Sequence, residues 1–497
     1  MIGLDSSTTA TKAIAWRRDG SVAGIGRSRI SLASLGNNRF EQNAEDWWFS
    51  FCTALKELFT QVNPEAVAAI SISNQRETFV ALDADAKPVR PAIVWLDQRC
   101  GDEVAWLADK IGRETIHQIT GKPPDTSPVA YRIAWMLRHE NELFLRTSMF
   151  ADVHAYLSWK LTGEFRSSWA SADPLGMFDL KKKGWSTEIL NALELSEEQL
   201  PESVAPGTVI GTLTPVAASA TGLHTGTPVV AGGGDGQAAG LGVNALDSRS
   251  AYLNLGTAVV SGVYSTEYQI GKAWRTMGSC TGEGYYFETS LRSGALLMDW
   301  FAHEICFTSS ETDAHRQLEA EAANIPLGSG GVLALPYWSG VMTPYWDSEA
   351  RGCFVGLSAS HGRGHLYRSL LEGIAFEQAL VTKLIEQATG QEIGLFHAIG
   401  GGAANDLWCQ IFADVTGKLV RRSASAEASS LGAAICAAVA VGWYPDHRTA
   451  AKAMCRTDSQ ETAPQPENHS RYSELLDIYR ELYPNLQKTF VGLSKWR

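Results

Sequence analysis

Residues 232–242 read GGGDGQAAGLG and surround one carboxylate, Asp235, with glycines and alanines. Because glycine has no Cβ, a ligand or another backbone segment can approach such a stretch closely. We therefore expect a flexible loop that brings Asp235 to a ligand. This stretch alone leaves three roles open for Asp235: a proton acceptor, a metal ligand or an ordinary turn residue.

The composition of the chain limits the classes of partner. The 497 residues are 45% apolar and 19% charged, with a net charge of −12 and no long basic run. Such a chain is expected to form two or more domains, and binding to nucleic acid or to a membrane surface is disfavoured. The eight cysteines form no CxxC pair, and the N-terminus MIGLDSSTT has no signal-peptide pattern. Both features predict a cytoplasmic protein.

Two short polar turns suggest that the chain contains two related halves. A short apolar strand is predicted before the turn DSSTT, residues 5–9, and another before the turn in NLGTA, residues 254–258. These two hydroxyl-bearing turns are about 250 residues apart, which is near the spacing of one large domain. Alternating strand and helix patterns predict an α/β fold. We expect domains at residues 1–245 and 246–497, with the ligand between them.

Helical patterns are clearest in four segments: residues 44–59 with Asn43 as N-cap, 364–389, 406–415 and 429–441. The last of these consists mostly of Ala, Gly and Ser. Such a helix can pack closely against a neighbouring helix or a flat ligand. Short strands are predicted at residues 66–73 and 92–96.

The usual nucleotide-binding motifs fit the chain poorly. No P-loop pattern occurs, and the pattern Gly234-x-Gly236-x-x-Ala239 is a weak dinucleotide fingerprint. Asp235 lies between the two glycines and would face a pyrophosphate of the same charge. A nicotinamide-dependent dehydrogenase is therefore an alternative that the residues disfavour.

The turn at residues 5–9 has the chemistry of a phosphate site. Closely spaced hydroxyls and backbone N–H groups suit phosphate oxygens, and the carboxylate of Asp5 suits a hydrated Mg²⁺. Lys12 adds a positive charge. A capped turn without a ligand is the alternative reading. Gly256 and Thr257 in the second turn favour a phosphate clamp, and the glycines at 400–402 offer a flat surface for a base or ribose.

Five motifs in this order resemble the FGGY family of carbohydrate kinases: DSSTTATK, GGGDGQAAGLG, NLGTA, GGGAANDLW and EASSLGAA, with GCFVGL and SLLEG between the third and fourth. The resemblance covers about residues 1–445. It implies an actin-like, RNase H-like ATPase fold of two α/β domains, with ATP and a sugar in the cleft between them. A non-catalytic sugar- or nucleotide-sensing relative is the alternative from another functional class, and dimers are common in the family.

The resemblance also implies roles for individual residues. Asp235 would be the general base that takes the proton of the sugar hydroxyl, and Asp5 and Asp235 would lie at the Mg²⁺ site. The residues implied to contact ATP are Thr8, Thr9, Lys12, Gly256 and Thr257 at the phosphates, and Gly401, Gly402 and Asn405 near the adenosine.

The segment ISNQRETFV, residues 72–80, resembles the glycerol kinases of the family. Arg76 can donate two hydrogen bonds and Glu77 can accept them, so a vicinal diol is a natural partner; a surface ion pair is the alternative. Trp95 would form an apolar wall of the sugar pocket or belong to the core. Asp97 resembles an acidic residue of the pentulose kinases, or it is the structural partner of Arg99.

Three positions depart from the glycerol kinases. Ser127, Gly236 and Val260 stand where those enzymes have a tyrosine, a glutamine and an aromatic residue. All three changes remove bulk and predict a pocket longer than one for three carbons. The expected substrate is a pentulose such as D-xylulose, and a glycerol kinase or another tetritol or pentitol kinase is the alternative.

Overall fold

The computed structural model describes residues 1–306 and 311–496. The N-terminal half contains a six-stranded sheet, whose strands are β1 (Ile2–Ser6), β2 (Ala10–Trp16), β3 (Val22–Arg29), β4 (Ile70–Asn74), β5 (Val209–Thr212) and β6 (Pro228–Gly234). Their order in space is β5-β6-β4-β1-β2-β3. Strands β1, β4 and β6 are parallel to one another, and the remaining strands run antiparallel to their neighbours.

The C-terminal half repeats this arrangement in a seven-stranded sheet. Its strands are β7 (Ser250–Leu255), β8 (Val259–Ser265), β9 (Arg275–Gly278), β10 (Tyr285–Leu291), β11 (Leu395–Ile399), β12 (Leu419–Ser423) and β13 (Thr457–Thr462). Their order is β9-β10-β8-β7-β11-β12-β13, with β7, β11 and β12 parallel. The β1–β2 and β7–β8 hairpins occupy corresponding places in the two sheets. The predicted pair of related α/β halves is therefore visible in the topology.

Helices and small strands surround the two sheets. The helices are α1 (Ala44–Leu58), Gly101–Ile111, Arg113–Thr120, Val129–His139, Asn141–Arg146, Val153–Thr162, Trp169–Ala172, Thr187–Ala192, Pro215–Thr221, α2 (Asp235–Gly242), Ala295–Trp300, Glu311–Ala323, α3 (Arg363–Thr389), α4 (Asp406–Thr416), α5 (Ala428–Ala440), His447–Met454, Pro466–Tyr479 and Leu482–Ser494. A second sheet of the N-terminal half contains Ala33–Ser34, Phe40–Gln42, Ala92–Ile93, Phe79–Leu82 and Met149–Asp152. Within the described residues, every helix is too short or too polar to cross a membrane.

The four predicted helices are confirmed as α1, α3, α4 and α5, with ends that differ by one or two residues. Asn43 caps α1, because its side chain accepts a hydrogen bond from the backbone N–H of Glu45 at 3.2 Å. The strand predicted at 66–73 begins only at Ile70, and the one predicted at 92–96 contains only two residues.

The loop predicted at residues 232–242 is wrong. Strand β6 continues to Gly234, and helix α2 begins at Asp235. The glycines serve close packing of backbone on backbone: a Cβ at Gly242 would lie 2.0 Å from the carbonyl oxygen of Ala428, and a Cβ at Gly432 would lie 1.9 Å from that of Ala238. The stretch is therefore the tight contact between α2 and α5.

Helix α5 connects the two halves. It follows β12 of the C-terminal sheet, yet it packs on β1, β4 and β6 of the N-terminal sheet. The hydroxyl of Ser430 donates to the carbonyl oxygen of Gly3 at 2.8 Å and accepts from the indole of Trp16 at 3.0 Å. Because this C-terminal helix shares a core with the N-terminal half, the domain division at residue 245 remains a prediction.

Candidate active site

A cavity of about 230 Å³ lies between the two halves. The N-terminal half contributes Thr8, Arg76, Glu77, Trp95, Ser127 and Asp235 to its wall. The C-terminal half contributes Asn254, Gly256, Thr257, Ala258, Val260, Arg275, Ser290, Arg292 and Met342. Both hydroxyl-bearing turns and most of the predicted sugar-pocket residues therefore face one cavity.

Asp235 is the first residue of α2 and projects its carboxylate into this cavity. One oxygen, Oδ1, accepts a hydrogen bond from the backbone N–H of Gly236 at 2.7 Å and forms an ion pair with Nε of Arg76 at 2.9 Å. The side chain lies deep in the cleft but is 42% exposed because it faces the open cavity. Burial raises the pKa of Asp235, although Arg76 and the Gly236 N–H act in the opposite direction. Both contacts use Oδ1, so Oδ2 is left to accept a proton.

Asp5 lies at the end of β1, within electrostatic range of Asp235. Its Oδ1 accepts a hydrogen bond from the hydroxyl of Ser73 at 3.2 Å. Burial, with the nearby charge of Asp235, raises the pKa of Asp5 to about 7. Asp5 lies outside the cavity wall, and two neighbouring carboxylates that repel each other suit a divalent cation. The described residues contain no cluster of three or more metal-ligating side chains, so phosphate oxygens and water would complete the coordination of such an ion.

The residues of the first hydroxyl-bearing turn differ in their access to the cavity. Thr8 lines the cavity, and its hydroxyl accepts a hydrogen bond from the indole of Trp95 at 2.8 Å. Thr9 is exposed on the same turn, outside the cavity wall. Lys12 lies opposite Asp5 in the β1–β2 register, and its ammonium group pairs with Glu427 at 2.7 Å. Thr8 is therefore the member of this turn that meets Gly256 and Thr257 across the cavity.

Gly401, Gly402 and Asn405 lie beside the second turn but outside the cavity. A Cβ at Gly402 would lie 2.9 Å from the carbonyl oxygen of Leu255, so this glycine segment packs against the end of β7. Asn405 is the N-cap of α4, where its side chain accepts from the N–H of Trp408 at 2.9 Å. Asn405 also lines a separate open cavity of about 540 Å³.

Arg76 and Glu77 line the cavity, but each already has a partner from the C-terminal half. Arg76 donates to Glu288 at 2.7 Å, Arg275 donates to Glu77 at 2.7 Å, and Arg275 also donates to Glu288 at 2.6 Å. Burial alone would raise the pKa of Glu288, but Arg76 and Arg275 lower it to about 2. Both residues are therefore ion-paired, but the pairs are buried between the halves and do not lie at the surface as the alternative expected.

Glu77 adopts a backbone conformation that is unusual for its residue type. Its φ is 49°, in the left-handed region that non-glycine residues seldom occupy. The fully buried Arg132 donates to the carbonyl oxygen of Glu77 at 2.6 Å and helps to hold this conformation. Backbone strain of this kind concentrates at ligand-binding sites.

Trp95, Ser127 and Val260 line the cavity, whereas Asp97 does not. The Asp97 carboxylate is fully buried and accepts hydrogen bonds from the guanidinium of Arg99 at 2.7 and 2.8 Å and from the N–H of Phe40 at 2.7 Å. Asp97 is therefore the structural partner of Arg99, and its assignment to the sugar pocket is corrected.

Gly236 also has a different role from the predicted one. A Cβ at this position would lie 2.8 Å from an oxygen of Glu288 and 3.2 Å from the guanidinium carbon of Arg76. The space beside Gly236 is therefore occupied by this ion pair and does not lengthen the cavity. Of the three positions that differ from the glycerol kinases, Ser127 and Val260 are the two that line the cavity and leave it longer.

The sequence interpretation missed Asn254, Arg275, Glu288 and Arg292. Asn254 holds the place in NLGTA that Asp5 holds in DSSTT, so comparison of the two turns could have identified it. Arg275 and Glu288 occur within ordinary strand patterns that carry no signal of their pairing. Arg292 has longer contacts, 3.4 Å to both Asp125 and the Ser127 hydroxyl, and lines the cavity.

Family models match the chain in two parts. The N-terminal domain model of the FGGY family of carbohydrate kinases matches residues 1–242, and the C-terminal domain model matches residues 251–441. Xylulose kinase of Bacillus subtilis is 30% identical over an alignment of 512 positions, which covers 100% of this chain and 99% of that protein. Glycerol kinase 2 of Saccharolobus solfataricus is 30% identical and covers 89% of each chain.

Solved structures agree with this result. The crystal structure of xylulose kinase from Rhodospirillum rubrum has a TM-score of 0.89 and 29% identity, covering 98% of this chain and 99% of that one. Gluconate kinase from Lactobacillus acidophilus has a TM-score of 0.92 at 24% identity, with 99% of both chains covered, and supports the fold alone. The predicted two-domain α/β fold is confirmed.

Proposed function

We propose that this chain, which belongs to the FGGY family of carbohydrate kinases, transfers the γ-phosphate of ATP to a hydroxyl of a five-carbon ketose such as D-xylulose. The observation that carries this proposal is the carboxylate of Asp235, which opens into a cavity lined by both halves and by both hydroxyl-bearing turns. The full-length similarity to a xylulose kinase supports the choice of acceptor.

Asp235 acts as the general base in this proposal. Phosphoryl transfer depends mainly on positioning and on charge neutralisation, with one group to accept the proton of the attacking hydroxyl. Oδ1 is held by Arg76 and by the Gly236 N–H, and Oδ2 takes the proton. Because burial raises the pKa of Asp235, the carboxylate is a better proton acceptor than an exposed aspartate.

The two hydroxyl-bearing turns hold the phosphates of ATP in this proposal. Thr8 approaches from one half, and Gly256 and Thr257 approach from the other. We assign Thr9 and Lys12 to the outer side of the phosphate site, and Gly401, Gly402 and Asn405 to the adenosine. Asp5 and Asp235 would hold Mg²⁺, which neutralises charge on the phosphate oxygens when it is bound.

The acceptor lies against Trp95, Ser127 and Val260, with Arg76 and Glu77 as its polar contacts. Both charged residues are already paired, so hydroxyls of the acceptor bind to lone pairs and N–H groups that the ion pairs leave free. A glycerol kinase or another polyol kinase is the second candidate, because the NQRET segment and one relative of 30% identity are of the glycerol-kinase type.

We also infer a cytoplasmic enzyme, since all eight cysteines are free. The net charge of −12 gives no attraction to nucleic acid. A homodimer, which is common in the family, stays a prediction.

Asp235→Asn tests the chemistry, because it keeps the shape of the side chain and removes the proton acceptor. We expect sugar phosphorylation to fall by about 10²–10⁴-fold, with ATP affinity nearly unchanged when measured by calorimetry. Asp97→Asn, which alters a buried carboxylate outside the cavity, is the control for general loss of stability. A folded Asp235→Asn variant that retains most of its activity would remove Asp235 from this role.

A further inference from the structure

Glu288 is a fully buried carboxylate that lies outside the wall of the active-site cavity and contacts residues that form it. It belongs to β10 in the C-terminal half, and its side chain has no solvent exposure. Its Oε2 accepts from Arg76 at 2.7 Å and from the hydroxyl of Tyr252 at 2.7 Å, and its Oε1 accepts from Arg275 at 2.6 Å. Three donors therefore fix this carboxylate in one position.

The contacts form a continuous chain of alternating charges, Asp235–Arg76–Glu288–Arg275–Glu77, which we call the charge chain. Asp235, Arg76 and Glu77 come from the N-terminal half, and Glu288 and Arg275 come from the C-terminal half. The geometry of Asp235 therefore depends on a residue of the other half.

Arg76 divides its donors between two carboxylates. Its Nε binds Oδ1 of Asp235, while its NH1 group binds Glu288. Arginine alone with a carboxylate prefers a bidentate contact that engages both carboxylate oxygens. Glu288 and Gln237 hold the NH1 group of Arg76, and the guanidinium therefore meets Asp235 through Nε at Oδ1 alone.

We propose that Glu288 is a positioning residue for phosphoryl transfer, which acts through Arg76 to keep Oδ2 of Asp235 free to accept the proton. This inference rests on the proposed role of Asp235 as the base. Without the charge of Glu288, the guanidinium of Arg76 loses its main anchor at NH1 and is free to engage both oxygens of Asp235, which would make Asp235 a weaker base. Stability alone is a poor reason for these contacts, since buried ion pairs add little over well-packed apolar residues.

Glu288→Gln tests the inference, because it keeps the size of the side chain and removes its charge. We expect kcat for sugar phosphorylation to fall by about 10–10²-fold, as misplacement of a catalytic group does, while KM for ATP stays within about twofold. An unchanged kcat in the folded variant would overturn the proposal.

Glu372→Gln is the matched control. Glu372 is also buried in the C-terminal half, where its Oε1 accepts from Nε of Arg368 at 2.8 Å and from the hydroxyl of Tyr472 at 2.7 Å. It therefore repeats the arginine and tyrosine contacts of Glu288 far from the cavity. We expect a loss of thermal stability with kcat unchanged, and an equal fall in kcat in both variants would overturn the specific role of Glu288.

A double variant separates positioning of Asp235 from a general structural effect. If Glu288 acts through Asp235, then Glu288→Gln lowers kcat in the wild-type background and has no further effect on the slow residual turnover of Asp235→Asn. If Glu288→Gln lowers kcat by the same factor in the wild-type and in the Asp235→Asn background, the proposal is contradicted. If Glu288→Gln does not fold, Glu288→Asp shortens the side chain by one methylene group and withdraws the carboxylate from Arg76, and an unchanged kcat in that folded variant would also contradict the proposal.

The outcomes also separate this inference from the proposed function. Wild-type activity on a sugar together with an inactive Asp235→Asn variant supports the proposed function whatever Glu288→Gln does. The inference alone fails if Asp235→Asn is inactive and Glu288→Gln turns over at the wild-type rate.

Discussion

At the scale of the residue, the two carboxylate oxygens of Asp235 have different contacts, and this difference determines which oxygen can act on a substrate. One oxygen is held by Arg76 and by a backbone N–H, and the other is left for a substrate. Asp5 lies near enough for its pKa to rise to about 7, chiefly through burial and next through the charge of Asp235. Oδ2 is therefore the oxygen of Asp235 that is placed to receive a proton.

Val260 is the residue whose size we expect to set the length of the acceptor. It lines the cavity, and Phe at this position would fill the space beyond a three-carbon substrate. Val260→Phe should shift the ratio of kcat/KM for D-xylulose to that for glycerol towards glycerol by about tenfold, the scale on which one hydrophobic group discriminates. Val260→Ile, which adds one methylene group, is the control and should give a smaller shift. Equal ratios in all three proteins would show that Val260 does not limit the acceptor.

Thr8, Gly256 and Thr257 were predictable from the sequence because they stand in short polar turns after apolar strands. Asp235 was predictable because it is the one carboxylate in a glycine-rich stretch. Thr8, Asp235, Gly256 and Thr257 all line the cavity as expected. Asp97 and Gly236 were misassigned because their neighbours in space, Arg99 and Glu288, decide what their positions are used for. Glu288 was missed for the same reason, since its partners come from distant segments.

At the scale of the element, the contact between α2 and α5 explains the glycines that surround Asp235. The backbones of the two helices are in direct contact at Gly242 and Gly432. A Cβ at either position would meet a backbone carbonyl oxygen of the other helix. The sequence shows the small residues of both segments, but it does not show that they pack on each other. The same composition therefore suggested a loop for one segment and, correctly, a helix for the other.

Gly432→Ala should destabilise the protein, because its Cβ would lie 1.9 Å from the carbonyl oxygen of Ala238. We expect a loss of about 1–3 kcal/mol in the free energy of unfolding, measured as a fall in midpoint during thermal unfolding. Gly492→Ala is the control, since a Cβ there meets no atom within 4 Å and lies in a helix. If the two variants unfold at the same temperature, the contact between α2 and α5 accommodates a Cβ at residue 432, and the prediction is wrong.

Glu377 on α3 should make stability depend on pH. Its Oε1 accepts from the hydroxyls of Tyr337 at 2.6 Å and Tyr479 at 2.7 Å, and among the described residues its Oε2 has no hydrogen-bond partner. Burial raises its pKa from 4.5 to about 7. The stabilising contribution of a group with a raised pKa is complete below pH 4.5 and is lost as the pH rises to about 7.

The matching experiment compares wild type with Glu377→Gln at pH 4.5 and at pH 7.5. Relative to the variant, the wild type should lose on the order of 1–3 kcal/mol of unfolding free energy between these values, since one pKa unit corresponds to about 1.4 kcal/mol. Parallel stability curves for the two proteins would mean that Glu377 ionises normally in the fold.

At the scale of the whole molecule, two sheets of six and seven strands share the arrangement of their central strands, and one cavity lies between the two halves. The repeat was predictable from two turns, but the way the halves interlock was not. Helix α5 crosses to the N-terminal sheet, and the charge chain crosses between the halves twice, at Arg76–Glu288 and at Arg275–Glu77. These contacts join segments that are hundreds of residues apart, and a single sequence carries no pattern that pairs them.

The proposed enzyme phosphorylates a five-carbon ketose in this cavity. The most direct test is kcat/KM of the wild-type protein for D-xylulose, other pentuloses, tetritols, pentitols and glycerol, measured by ADP release with saturating ATP and Mg²⁺. A parallel absorbance assay for reduced nicotinamide controls for dehydrogenase activity. We predict that a pentulose gives the highest kcat/KM, because a longer acceptor fills the space beside Ser127 and Val260 and orders its hydroxyl at Asp235. A protein that prefers glycerol to every pentulose and tetritol would contradict this account and support the glycerol-kinase alternative.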